Sequence, residues 1–240
     1  MANSTAQPWH LGVVIPARNE ERTIARCIAS VLASGAATNR CRGIWIAVVA
    51  DRCTDRTVEL ARHELVCHGQ VIECAAGSAG AARRIGAAAV LRHFEGTCLE
   101  RVWLANTDAD THVPLEWIDT HLQLADDHAE AVAGIVELDS EELNNDVREL
   151  FARSYAVRAD GTHTHVHGAN FGVRADAYLD AGGWSDLAVA EDHCLWGRLR
   201  RRGSRLLSCA VSVVHTSGRL QGRAIGGFAD TLRRGLTAGD

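Results

Sequence analysis

Apolar runs alternate with amphipathic stretches through the first half of the chain. Val13-Val14-Ile15-Pro16 is a short apolar run stopped by proline, the pattern of a strand covered on both faces. Asn19-Glu20-Glu21 follows, a cap residue with acids in a first helical turn. Ile24, Ile28, Val31 and Leu32 then recur at helical spacing until Gly35. Ile44 to Ala50 is a second unbroken apolar run and ends at Asp51. Thr54-Asp55 open a helix carrying Val58, Ala61 and Leu65, and Val71-Ile72 is a short third strand. Gly77-Ser78-Ala79-Gly80 leads into an alanine-rich helix reaching Phe94. Val102 to Ala105 is a fourth strand, followed by Asp108-Ala109-Asp110.

Fully buried strands between amphipathic helices predict an α/β fold with a parallel sheet. Such sheets bind ligands beyond the carboxyl ends of their strands. Three polar clusters fall there: Pro16-Ala17-Arg18-Asn19-Glu20, Asp51-Arg52-Cys53-Thr54-Asp55 and Asp108-Ala109-Asp110. The second half predicts a strand over Ala131 to Leu138, a helix over Glu141 to Val157 and a strand over Thr162 to Gly168. A helix over Glu191 to Arg202, closed by Gly203, and a strand over Leu206 to His215 complete it. No linker or repeat interrupts the 240 residues, so one domain is expected. The glycines after Gly218 predict a partly mobile tail over 219–240.

Charge changes the picture in two ways. All 25 basic residues are arginine, which excludes lysine Schiff bases, lysine general bases and the P-loop lysine. The net charge of −5 also hides an asymmetry: residues 106–150 hold 13 acids and one arginine, whereas 198–234 hold nine arginines and one acid. With aromatics at only 5%, the basic stretch suits an anionic small molecule better than nucleic acid, and no nucleic-acid partner is expected. Arg200-Arg201-Arg202 reads first as a solvated helix end, with a peripheral contact to an anionic membrane as the alternative. The oligomeric state stays open, a homodimer included.

None of the eight cysteines forms a CxxC pair, so a zinc ribbon has no support. Met1-Ala2-Asn3-Ser4-Thr5 has neither a charged nor an apolar signal region. The longest apolar run falls far short of the ~20 residues of a membrane span. A cytoplasmic protein with reduced thiols is the expectation. His163, His165 and His167 alternate and can face one way, yet no further ligand stands in register, so a polar strand face is preferred to zinc. Gly77-x-x-Gly80 is not a GxGxxG fingerprint and does not support a dinucleotide site.

Asp108 and Asp110 are the main chemical signal. Two carboxylates two residues apart at a strand end can share Mg²⁺ or Mn²⁺, which would neutralise a leaving diphosphate. A solvated acidic loop is the plain alternative, and the register with the other two polar strand ends argues against it.

Taken together these segments resemble the family 2 glycosyltransferases of GT-A fold, with a mixed, mainly parallel central sheet flanked by helices. The resemblance rests on Val13 to Glu20, Val48 to Thr57, Gly77 to Gly86 and Asn106 to Asp110. It continues through Gly168-Ala169-Asn170, Arg174, Gly182-Gly183-Trp184 and Glu191-Asp192. Order and spacing agree over residues 11–215. It implies a nucleotide-binding half over 1–110 and an acceptor and catalytic half over 111–218. Pro16, Ala17 and Glu20 would line the nucleoside pocket, Asp51 would contact the base, and Gly77 and Arg83 would lie by the ribose and diphosphate. Asp108 and Asp110 would hold metal and donor, Gly168 to Asn170 would flank the sugar, and Asp192 would be the general base.

By the same resemblance, His215 would be a third metal ligand. Arg219 and Arg223 would clamp the diphosphate. The chain departs from the commoner pattern with Cys53 in place of serine and Arg84 in place of asparagine. The expected activity is transfer of a sugar from a UDP- or GDP-sugar to an acceptor hydroxyl of unknown identity, with inversion. A retaining enzyme of the same fold is one rival. A nucleotidyltransferase is a second, opposed by the absence of a glycine- and lysine-rich loop after the first strand. A non-catalytic nucleotide-sugar binder is a third, opposed by the presence of Asp110, Asp192 and His215 together.

Overall fold

The computed structural model describes residues 7–139 and 157–218. In chain order the elements are β1 (Trp9–Ala17), α1 (Ile24–Ala37), β2 (Cys41–Asp51), α2 (Thr57–Leu65), β3 (Gly69–Cys74), α3 (Ala79–His93), β4 (Val102–Asn106) and β5 (Thr111–His112). Then come α4 (Trp117–Asp126), β6 (Ala131–Leu138), β7 (Phe171–Arg174), α5 (Ala175–Asp180), α6 (Glu191–Arg201) and β8 (Leu206–Thr216). Among the described residues the strands form one eight-stranded sheet in the order β3-β2-β1-β4-β7-β6-β8-β5. Four of the seven pairings are parallel, so the sheet is mixed and mainly parallel.

The alternation of β1 explains the layering. Leu11, Val13 and Ile15 point to the side where Ile24, Ile28 and Val31 of α1 pack with Trp117, Ile118 and Leu122 of α4. Val14 points to the other side, onto Ala87 and Val90 of α3, in a cluster that includes Leu195, Trp196 and Leu199 of α6. Both faces are covered, which is why the strand reads as a continuous apolar run.

Asn170 ties the second half together. It is wholly buried at the end of a 3-10 turn, Gly168–Asn170. Its Oδ1 accepts from Trp117 Nε1 at 2.9 Å and Ser212 Oγ at 3.1 Å, and lies 3.2 Å from His121 Nε2. Its Nδ2 donates to the carbonyls of Ile135 at 2.8 Å and Ser212 at 3.0 Å. One side chain thus joins α4, β6 and β8 and satisfies polar groups that have no water to turn to.

Several elements differ from expectation. The first helix starts at Ile24 because the Glu20 carbonyl accepts from the amides of Thr23 (3.0 Å) and Ile24 (2.9 Å), closing a turn first. Thr162 to Gly168 is no strand. His163 makes a single bridge to Val157, and its backbone carbonyl accepts from the Ser208 hydroxyl at 2.7 Å rather than from a ladder amide. The expected helix over 141–157 lies, except for Val157, outside the described residues, as does the tail after Gly218.

Asn170→Ala would take away the partner of Trp117 Nε1 and of the Ile135 and Ser212 carbonyls, while His121 and the Ser212 hydroxyl keep each other at 3.1 Å, and chemical denaturation should show a loss of about 3 kcal/mol. Burial pushes the His121 pKa down to about 4, opposed by its bond to Asn170. The unfolded chain, with an ordinary imidazole, therefore binds the extra proton between pH 6.5 and about 4, and the folded chain does not. Stability should fall across that window on acidification, His121 contributing up to about 3 kcal/mol and His167, which burial likewise pushes down to about 4, adding its own part, so His121→Gln should lessen the slope without removing it.

Candidate active site

The loops after β1 and β2 are stitched to each other. Asn19 Oδ1 accepts from the Thr54 amide at 2.8 Å, and the Glu20 amide donates to Thr57 Oγ1 at 2.7 Å. Cys53 takes the part a hydroxyl would play here. Its sulfur accepts from the Asn19 amide at 3.4 Å and donates to the Ala17 carbonyl at 3.6 Å. The departure from serine therefore keeps both contacts, and burial pushes the thiol pKa up. Pro16 is half-buried, Ala17 and Glu20 are buried, and the Glu20 carboxylate accepts from the Thr23 hydroxyl at 3.0 Å.

Asp51 ends β2 and turns back to α3. Its two carboxylate oxygens accept from the Gly77 amide at 3.2 and 3.0 Å. Gly77 has φ +79°, a conformation that glycine adopts without a side-chain penalty. Ser78 then caps α3 by accepting from the Ala81 amide at 3.1 Å. Three non-glycine residues near these ends also hold positive φ: Asn19 at 55°, Arg52 at 53° and Ala190, just before α6, at 60°.

Arg83 is the centre of the site. It lies on the buried stripe of α3 and is 3% exposed. Nη2 donates to Asp108 Oδ1 at 2.6 Å, and Nη1 donates to Glu191 Oε1. The cation also lies 5.6 Å from the Trp184 ring centre. Burial opposes its charge, but Asp108 and Glu191 outweigh burial and hold its pKa above the ordinary arginine value. A Cβ on Gly168 would fall on this guanidinium, so the backbone can pass Arg83 only at a residue without a side chain. The Gly168 amide donates to Asp192 Oδ2 at 2.9 Å, and the His193 amide donates to Asp192 Oδ1 at 2.7 Å. Asp108, Arg83, Glu191, Gly168 and Asp192 thus form one connected set from four distant segments.

Asp110 faces β8. Its carbonyl accepts from the Ser217 amide at 3.1 Å, and its Oδ1 accepts from the Thr216 hydroxyl at 3.4 Å. His215 precedes Thr216 on a strand, so its side chain points to the opposite face. It stacks on His112 at 4.9 Å, with Nδ1 3.7 Å from Glu137 Oε2. Among the described residues no group of three or more His, Cys, Asp or Glu is placed to hold a metal. Asp108 and Asp110 offer two hard carboxylates, and the Asp108 side chain is 36% exposed. That donor set does not make an all-protein cage. It fits Mg²⁺ or Mn²⁺ completing its shell with water and substrate phosphate.

Other expected residues land elsewhere. Asn170 is enclosed, with both ends of its amide occupied inside the fold, and does not reach the site surface. Arg83 is a buried partner of carboxylates rather than an open phosphate contact. Arg84 makes an exposed bridge to Asp186 at 2.6 Å. Arg219 and Arg223 lie outside the described residues. The sequence offers Glu191 only as the neighbour of Asp192. The signal for it is Arg83 itself, since Arg83, Gly86, Ala87 and Val90 share one buried helical stripe and a buried arginine calls for a buried acid.

No curated protein matches the chain. Among solved structures, S. aureus TarS in complex with UDP-GlcNAc aligns with TM-score 0.67 and 15% identity, over 91% of this chain and 61% of that one. The mannosyltransferase PcManGT from Pyrobaculum calidifontis, in complex with GDP-Man and Mn2+, aligns with TM-score 0.63 and 19% identity, over 90% of this chain and 59% of that one. The chain therefore spans about three fifths of the length of each. These likenesses establish the GT-A fold. The model of glycosyl transferase family 2 matches residues 12–181, and the chain belongs to that family.

Proposed function

We propose that the chain transfers a sugar from a nucleotide-diphosphate sugar to an acceptor hydroxyl with inversion. The observation that carries this reading is the connection of Asp108 to Asp192 through Arg83, Glu191 and Gly168. It sets a carboxylate suited to the diphosphate end of a donor beside one suited to an acceptor hydroxyl. The neighbouring structures hold UDP-GlcNAc and GDP-Man, which supports a UDP- or GDP-sugar here. Residues 1–110 would supply the nucleotide side, with Pro16, Ala17, Asp51 and Gly77 at its strand ends, and 111–218 the acceptor side.

Asp192 would take the proton of the acceptor hydroxyl. The acceptor oxygen then forms a bond to the anomeric carbon while the bond from that carbon to the diphosphate oxygen breaks. The nucleoside diphosphate leaves with the electron pair. Asp192 lies in the first turn of α6, and two backbone amides fix its orientation. Mg²⁺ or Mn²⁺ held by Asp108 and Asp110 would supply charge neutralisation of the diphosphate. Arg83 holds Asp108 in place and keeps a positive charge next to it.

Asp192→Asn should lower kcat at least about 100-fold while leaving donor affinity within about twofold. Isothermal titration and initial-rate assays with a panel of NDP-sugars check this, and near-normal turnover would overturn the assignment. In thermal-shift assays, one UDP- or GDP-sugar should raise the melting temperature only with Mn²⁺ present. Asp108→Asn should abolish that metal-dependent part. A shift indifferent to chelator would contradict the metal role.

A further inference from the structure

A cavity of about 420 Å³ opens at the start of α6, lined by Arg158, His163, His165, His193, Trp196 and Arg200, among others. Its size falls in the range of small-molecule sites. His193, Trp196 and Arg200 stand at positions i, i+3 and i+7 of one helix face. His163 and His165 are alternate residues with ring centres 6.1 Å apart. Among the described residues every ionisable group on the lining is a guanidinium or an imidazole, and none is a carboxylate.

The arginines near this cavity divide into two kinds. Arg198 donates to the Ala181 carbonyl at 2.6 Å, and Arg202 lies 3.5 Å from Asp180. Among the described residues Arg158 and Arg200, both exposed, make no ion pair, and the Arg158 side chain has one hydrogen bond, a long one to Thr162 at 3.5 Å. Burial lowers the His165 pKa, and His163 and His193 lie close enough to lower it further, so these imidazoles share one space. An anion placed here would receive charge-assisted hydrogen bonds from the Arg158 and Arg200 guanidiniums.

The cavity lining reaches Asp192 through its chain neighbours. His193 follows it in the chain, and Gly168, three residues after His165, donates to its carboxylate. We propose that this cavity binds a phosphate or carboxylate group and that an acceptor carrying such a group is seated there, its hydroxyl presented to Asp192. The acceptor clause rests on the transferase reading above. Binding of the anion itself does not.

The test is titration of inorganic phosphate and, separately, acetate into the full chain, followed through the imidazole resonances of His163, His165 and His193. Phosphate or acetate should shift all three, and whichever binds tighter identifies the anion class. Arg158→Ala with Arg200→Ala should weaken binding about tenfold or more without changing the melting temperature. The corresponding double lysine variant should retain most of it. No response of these histidines to either anion, or unchanged affinity in the double alanine variant, would overturn the site. Failure of every UDP- and GDP-sugar to bind while the anion still does would overturn the transferase reading and the acceptor clause alone.

Discussion

The guanidinium of Arg83 sits almost without solvent between Asp108 and Glu191. A buried cation is tolerated only when carboxylates replace its lost hydration, and removing one partner of such a group typically costs about 3–5 kcal/mol. Satisfying Arg83 therefore requires three segments to arrive together: α3, the loop after β4 and the first turn of α6. The requirement reaches further through Gly168, because the backbone that passes the guanidinium also donates to Asp192. The ion-pair set therefore acts as an alignment device as well as a source of charge.

The sheet makes that alignment feasible. β1 and β2 run side by side to Ala17 and Ala50, while β4 stops where Asn106 is level with Val14. The early stop lets the chain turn into the Asp108 loop at the carboxyl end of β4, with the Cys27 thiol donating to the Asp108 carbonyl at 3.3 Å. Beneath the second half, Asn170 plays a related part without charge. It fixes α4 against β6 and β8, and the same 3-10 turn begins at Gly168. Gly168 beside Arg83 and Asn170 in the core stand two residues apart in one short turn.

Much of this was legible in the sequence because parallel strands buried on both faces leave unbroken apolar runs. Ile44 to Ala50 and Val102 to Ala105 announce β2 and β4, and the polar residues after them announce the site. β5 and β7, of two and four residues, are too short to carry a period. Residue type and order also do not say which way a side chain points. His215 and Thr216 differ by one position, and that position sends the hydroxyl to Asp110 and the imidazole to Glu137. Asn170 stands in a recognisable motif, yet its burial depends on Trp117, His121 and Ser212, which come from distant segments. The histidine alternation over 163–167 matched a strand period, but the neighbouring β8 already pairs with β6 and meets His163 through a serine hydroxyl instead.

The left-handed residues around the site bear on how the chain could diversify. At most positions in a folded domain glycine is the damaging replacement, because it loosens the unfolded chain and gives up contacts. At Arg52 and Ala190 the ranking is inverted. Their positive φ makes glycine and asparagine the easy exchanges and β-branched residues the hard ones. Both positions adjoin proposed functional carboxylates, Asp51 in one case and the Glu191-Asp192 pair in the other. The sequence space open to variants is thus narrowed around the site by backbone shape alone, before any demand of chemistry applies.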